Sequence, residues 1–235
     1  MKKIIEAILH WALLVAVAVL LSGIIRDSRQ TIVDGNFRPS GNELSKERTI
    51  VRGDLDMYYA DNTTFPDGLE VYGDVYLGGS QIKDIGSVKI YGNLSLSGSP
   101  LEELPEEAKV YGEIRLEHSR LTDLPKAFST PGSLVVYKSS ITTLPDEMTI
   151  GENLYICQET RLTIGKNTTI GRDLIIEGCA ADTLPKGLHV GNLKLNYSCI
   201  TALPSDMQVD GKIYMHCTNL LHIPDHLWDK ITVIE

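Results

Sequence analysis

The sequence predicts a mainly β protein: a solenoid with a parallel sheet of about nine rungs, preceded by one transmembrane helix. Three observations predict it. Two columns of apolar residues recur in lockstep, 19 or 20 residues apart, between Leu55 and Ile223. In seven of nine rungs a glycine stands two before the first column, and in seven of nine a proline follows the second. Ahead of the repeats lies a 19-residue run without a formal charge, Ala7 to Ile25.

Composition narrows the function classes. The chain has 235 residues, 43% hydrophobic and 23% charged, with a net charge of −9. That apolar content is ordinary for a folded protein and excludes an acidic disordered tail. No excess positive charge is available to neutralise phosphates, which argues against nucleic-acid binding. A single long apolar run excludes a multi-span membrane protein.

Helical rise would carry Ala7 to Ile25 across most of a ~30 Å hydrocarbon core. Lys2 and Lys3 precede the run, Arg26 and Arg29 follow it, and Trp11 suits an interface. A membrane anchor over residues 1–27 is the favoured reading. A cleaved signal peptide and a buried core helix are the alternatives, with Leu21 a poor residue ahead of a cleavage site. The lysine pair at the extreme N-terminus orients the segment with the N-terminus inside. This places the solenoid on the extracytoplasmic side of the membrane. Residues 28–48 are polar, with Gly35, Pro39 and Gly41, and read as a linker and N-terminal cap.

The repeats fill residues 49–235. The first column is Leu55, Val75, Leu94, Ile114, Leu134, Leu154, Leu174, Leu193 and Ile213. The second is Phe65, Ile85, Leu104, Leu124, Leu144, Ile164, Leu184, Leu203 and Ile223. Within a unit, Leu193 and Leu195 alternate with polar residues, the period of a short half-buried strand. Pro204 lacks an N–H, so the chain after it leaves any central ladder. Gly191 permits a tight corner before the next strand. One rung cannot bury its own apolar face, so rungs stack about 4.8 Å apart into one core. An inward hydroxyl column, Ser80, Ser99, Ser119, Ser139, Ser198 and Thr218, is placed to satisfy backbone groups at each turn. Cys179 takes the same place on its rung.

The stretch from Val190 through Leu193, Leu195, Ser198 and Ile200 to Leu203-Pro204 resembles the leucine-rich repeat signature. The 20-residue period and the Leu-Pro pair are most similar to the short repeats of bacterial secreted effectors and surface proteins. The resemblance covers about residues 50 to 235. This chain has Ser or Thr where that family has Asn, which leaves a plain parallel β-helix as the alternative. The resemblance implies a curved binding scaffold, generally for other proteins. At the C-terminus, Leu227 to Ile234 predicts a final strand with Trp228 covering the open end of the core.

Outward strand positions form columns on the sheet surface. One residue after the anchor come Asp56, Tyr76, Ser95, Arg115, Val135, Tyr155, Ile175, Lys194 and Tyr214. Three after come Tyr58, Gly78, Ser97, Glu117, Tyr137, Cys157, Glu177, Asn196 and His216. Tyrosine joins apolar area to a polar tip, so Tyr58, Tyr76, Tyr137, Tyr155 and Tyr214, with Arg115 and Glu117, are the candidate partner-binding residues. Tyrosine also fills strand surfaces by propensity alone. Tyr72, Tyr91 and Tyr111 form a separate column expected to stack on one another as structure.

The four cysteines, Cys157, Cys179, Cys199 and Cys217, occupy different places on the last four rungs. Cys199 and Cys217 lie on adjacent rungs near the same edge and could approach disulfide distance in an oxidising compartment, though an even count of cysteines is weak evidence for a pair. His216, Cys217, His222 and His226 are the one metal-like cluster, but Pro224 breaks the helix that would align His222 with His226. Four Asn-x-Ser/Thr triplets, at Asn62, Asn93, Asn167 and Asn196, matter only on a eukaryotic secretory route.

No catalytic, metal or cofactor site is expected. The leading reading is a non-enzymatic, membrane-tethered scaffold that binds a protein through the outward sheet face. Residues 45–235 hold 17 Lys+Arg and 27 Asp+Glu, which favours a partner with some positive charge. The alternatives are a β-helix that binds or cleaves polysaccharide, for which Arg115, Glu117 and Glu177 make no paired-carboxylate constellation, and solenoids assembling end to end.

Overall fold

The computed structural model describes residues 30–40, 44, 48–126, 128–157, 161–178, 180–218 and 220–234. Each turn of chain pairs in parallel and in register with the next, so the molecule is a parallel β-solenoid. The nine residues of the first column are at most 1% exposed. Their strands, from Leu55–Asp56 to Ile213–His216, lie side by side in one sheet, and Ile231–Ile234 adds a tenth strand to that path. At the front, Phe37 bridges Leu55 in parallel. The expected nine rungs therefore gain a neighbour at each end: Phe37, which has Gly35 two residues before it as the repeats do, and Ile231, which has Asp229 there.

A second ladder precedes each anchor strand. It begins with Gln30–Val33, which falls in the stretch expected as linker and cap and pairs with Arg48–Val51. It continues through Glu70–Val71, Lys89–Ile90 and Lys109–Val110 as a five-stranded sheet. Its aliphatic column, Val51, Val71, Ile90, Val110, Ile150, Ile170, Val190 and Val209, is buried. A third line consists of single bridges, such as Thr64 to Asp84 and Glu103 to Asp123. It stays sparse because the prolines that follow the second column bring no N–H to extend it. The predicted hydroxyl column closes the turn after the anchor strand on three rungs, where Ser80, Ser99 and Ser198 Oγ accept from Ile82, Leu101 and Ile200 N–H at 3.2–3.4 Å, but Ser119 Oγ is buried without a hydrogen-bond partner among the described residues.

The corner between the two ladders carries a feature the repeats only hint at. Asn36, Asp54, Asp74 and Asn93, each one residue before its anchor, form a ladder of their own. Each Oδ1 accepts from the backbone N–H of its counterpart on the next rung, at 2.7–3.0 Å. From Gly53 onward the adjoining glycines exist for close approach rather than for unusual φ, whereas Gly35 has a φ of +83° and open space around it. A Cβ on Gly92 would meet Asp74 Oδ1 and the Gly73 carbonyl, and one on Gly112 would meet the Gly92 carbonyl. Positive φ recurs at the turn after the anchor strand, at Tyr59, Gly79, Gly98, His118, Lys138, Gly178, Tyr197 and Cys217, and at the turn after the second column, at Gly68, Gly86, Glu147, Asn167 and Gly187.

The second ladder is interrupted once among the described residues, between Lys109–Val110 and Ser129–Thr130. Tyr111 N–H donates to Ile90 O and Gly151 N–H to Thr130 O, but the residue between them is Pro131. With no amide available, Thr130 Oγ1 donates to Val110 O at 3.2 Å instead. A cavity of about 230 Å³, lined by Leu104, Val110, Ile114, Phe128 and Thr130, lies at this seam.

The expectations for the C-terminus change: the final strand is Ile231–Ile234, not Leu227 to Ile234. Trp228 does not cover the end of the core; it is 59% exposed. A short 3₁₀ helix, Asp225–Lys230, turns successive side chains in different directions, and Leu227, 1% exposed, covers the core instead. No helix among the described residues is long and apolar enough to cross a membrane, and the run Ala7 to Ile25 lies outside them.

Candidate functional site

The outward face of the anchor sheet divides into three regions along its length. At the N-terminal end, Tyr58 and Tyr76 stack with ring centroids 6.3 Å apart and planes 18° from parallel. Tyr58 lies over Gly78, whose missing side chain makes room for the ring. Tyr76 Oη donates to Asp74 Oδ2 at 3.1 Å. Burial, then the bond to Asp74, pushes the Tyr76 phenol above its ordinary range. This pair is fixed by its own neighbours.

The central region is concave. A groove of about 470 Å³ is lined by Arg115, Glu117, Val135, Tyr137, Tyr155, Cys157, Ile175 and Glu177, with Glu113 at its edge. The strands Ile114–Arg115, Leu134–Tyr137, Leu154–Cys157 and the end of Thr169–Glu177 supply these residues in register. Strand alternation puts Leu134, Val136, Leu154 and Ile156 into the core and turns the groove residues outward. Four of the seven predicted binding residues, Arg115, Glu117, Tyr137 and Tyr155, meet here. Tyr58 and Tyr76 stand apart at one end and Tyr214 at the other.

Charges in the groove are arranged unevenly. Glu113 stands between Asn93 and Ser133 in the column that precedes the anchors, and its longer side chain reaches Arg115 Nε. That hydrogen bond, then the Glu113 charge itself, holds the Arg115 guanidinium above its ordinary value. Glu117 and Glu177 have no cation within 4.0 Å among the described residues. The Cys157 thiol is pushed up by burial and then by the Glu177 carboxylate beside it, so it stays protonated at neutral pH. Tyr155 is 37% exposed. Tyr137 takes the edge of His118 at 5.9 Å and the Lys138 ammonium at 5.4 Å from its ring centroid.

At the C-terminal end, Lys194 lies 6.0 Å from the Tyr214 ring and pairs with Asp173. Burial would raise Asp173, but the bonds from Lys194 and Asn192 outweigh it and hold the carboxyl below its usual range. Tyr214 thus sits beside a neutralised pair and not in the groove.

Other predicted features are resolved by position. Tyr72, Tyr91 and Tyr111 stack at 4.7 and 5.2 Å, so each inner face is already covered by a neighbouring ring. The Cys199–Cys217 pairing does not form: Cys217 is free and Cys199 is disulfide-bonded, while Cys157 is also free. Cys217 occupies the positive-φ position one residue past its strand, which turns it away from the place of Cys199. Cys179 lies outside the described residues. His216 packs on Tyr197 at 4.9 Å and His226 Nε2 lies 3.0 Å from Met207 O. Among the described residues no group of three His, Cys, Asp or Glu side chains converges on a metal position.

The groove contains residues not singled out as binding candidates from the sequence: Glu113, Val135, Cys157, Ile175 and Glu177. The signal for Val135 and Ile175 was present in the outward column, where they are the two aliphatic residues and flank Tyr155. Compared with known protein families, curated proteins and solved structures, the chain matches none.

Proposed function

We propose that this chain is a membrane-tethered, non-enzymatic recognition scaffold that binds another protein through the outward face of its anchor sheet. The observation that carries this reading is the central groove. Tyr137, Tyr155, Val135 and Ile175 expose apolar and aromatic surface there, rimmed by Arg115, Glu117 and Glu177. An aromatic floor with a polar rim is the composition of a protein-recognition patch. The same proposal takes the repeats as leucine-rich-repeat-like, on the strength of the 20-residue period and the Leu-Pro column. It takes Ala7 to Ile25 as a single-pass anchor with the N-terminus inside and the solenoid on the extracytoplasmic side. The partner is a protein; nucleic acid, metal and cofactor have no part in it.

The test is proximity labelling from native membranes with the intact chain and with Tyr137→Ser/Tyr155→Ser. Tyr72→Ser/Tyr91→Ser, in the stacked column outside the groove, is the control. A protein recovered with the intact chain and the control, and lost with the groove variant, supports the reading. Equal recovery with all three removes the groove from recognition.

A further inference from the structure

We infer that the groove recognises an extended segment of the partner carrying two basic side chains four residues apart, with an apolar residue midway; this rests on the protein-recognition reading above. The geometry starts from Glu117 and Glu177. They share one outward column and lie three rungs apart, with Tyr137 and Cys157 between them. Three strand spacings separate them by about 14 Å. An extended chain advances about 3.3 Å per residue and turns alternate side chains to one face. Residues i and i+4 of a segment laid along the solenoid axis are therefore about 13 Å apart and point the same way. Residue i+2 then falls over the middle of the groove, against Tyr137 and Cys157, with Val135, Tyr155 and Ile175 alongside.

Charge selects the outer two side chains. Arg115 is already satisfied by Glu113, whereas neither Glu117 nor Glu177 has a cation within 4.0 Å among the described residues. Both carboxylates stand at the ends of the concave floor, half-buried at Glu117 and exposed at Glu177, where an incoming cation can reach them. Tyr137 already accepts an ammonium, that of Lys138, at 5.4 Å from its ring centroid. The raised Cys157 thiol keeps the centre of the groove uncharged, which suits an apolar residue at i+2. Lysine and arginine both meet these requirements.

The experiment titrates the full-length, isotope-labelled chain in zwitterionic micelles with an acetylated, amidated Lys-Ser-Val-Ser-Lys peptide. Backbone amide shifts of Val135, Tyr137, Tyr155 and Ile175 report on the groove. The expected result is saturable binding at low salt that weakens at least fivefold when both lysines become norleucine. Glu117→Gln/Glu177→Gln should weaken it by a similar factor, and Glu102→Gln/Glu107→Gln, an equal charge change on exposed residues elsewhere, should not. Circular dichroism confirms that each variant keeps the fold. Absence of groove shifts with the lysine peptide overturns the inference, as does equal binding to both double variants. If the norleucine peptide binds the groove as tightly, the basic requirement falls while recognition by the sheet face stands. Failure of that broader reading shows separately, as partner capture that survives Tyr137→Ser/Tyr155→Ser.

Discussion

Thr130 Oγ1 donates to Val110 O at 3.2 Å, in the place where neighbouring turns use a backbone amide. The cause is Pro131, which follows Thr130 and has no N–H to give. Thr130 is 2% exposed and Val110 is 7% exposed, so water does not readily replace the hydroxyl. Thr130→Val keeps the shape but removes both the donor to Val110 O and the acceptor of the Gly132 N–H at 3.3 Å. It should destabilise the solenoid by about 1–3 kcal/mol, the cost of an unsatisfied buried carbonyl. Pro131→Ala restores an amide at the right position, so the double variant should recover part of that loss. Urea unfolding followed by circular dichroism measures the coupling. A neutral Thr130→Val would show that the hydroxyl does not hold this corner.

Asp74 and Gly92 form the second such relationship. Asp74 Oδ1 accepts from Asn93 N–H at 2.7 Å, and it occupies the space that a side chain at position 92 would need. Asp74→Asn keeps an acceptor and should be close to neutral. Asp74→Ala removes it and should cost about 1 kcal/mol. Gly92→Ala should cost more than Asp74→Ala, because the new methyl also meets the Gly73 backbone carbonyl, which cannot swing aside. Adding Asp74→Ala to Gly92→Ala should relieve only part of the strain. Full rescue would show that the side chain alone, and not the backbone, demands glycine here.

The two columns of apolar residues made the solenoid legible, because a 20-residue lockstep specifies which residues stack and which face inward. The outward residues were legible for the same reason: once Leu134 and Leu154 are buried, Val135, Tyr155 and Tyr137 must face out. What a single column does not reveal is which outward residues gather. Tyr58 and Tyr76 carry the same side chain as Tyr137 and Tyr155, yet they close on each other because position 78 is glycine. The acidic and amide ladder at the corner was not legible as a repeat because it mixes Asp and Asn without a period and passes on to Glu113 and Ser133, and only backbone geometry shows that Asp and Asn both serve as acceptors. Trp228 failed as a cap because the residue that covers an end is chosen by the local turn, not by size.

Glu70 gives the solenoid a defined acid sensitivity. It is 8% exposed and bonds to Arg48 at 3.0 Å and Lys89 at 3.4 Å. The Arg48 bond, set against burial and aided by Lys89, holds its carboxyl below the ordinary value of 4.5. A lowered folded-state value means that the unfolded chain binds the proton first as pH falls. The stabilisation is therefore complete above about pH 4.5 and is lost as pH falls through the lower folded-state value. Its size should be about 1 kcal/mol, since Arg48 and Lys89 are half exposed and screened. Glu70→Gln should lower the melting temperature at pH 7 and flatten its decline below pH 4.5. An unchanged decline would assign the acid sensitivity to other carboxylates.

Cys157 and Cys217 should differ in reactivity although both are free thiols. Cys217 is exposed at the turn, whereas Cys157 is half-buried in the groove beside Glu177. Burial, then Glu177, raises the Cys157 thiol above the ordinary value of 9.0, and the thiolate is the reacting species. At pH 7.5 a small disulfide reagent should modify Cys217 faster than Cys157 by roughly tenfold. Raising the pH should speed Cys157 by supplying the thiolate that its raised thiol lacks at pH 7.5. Glu177→Gln removes one of the two causes and should accelerate Cys157 without changing Cys217. Cys199 should stay unmodified until a reductant opens its disulfide. Peptide mapping by mass spectrometry assigns each rate to its residue. Equal rates at pH 7.5, unaffected by Glu177→Gln, would mean that neither burial nor the carboxylate governs the thiol in the groove.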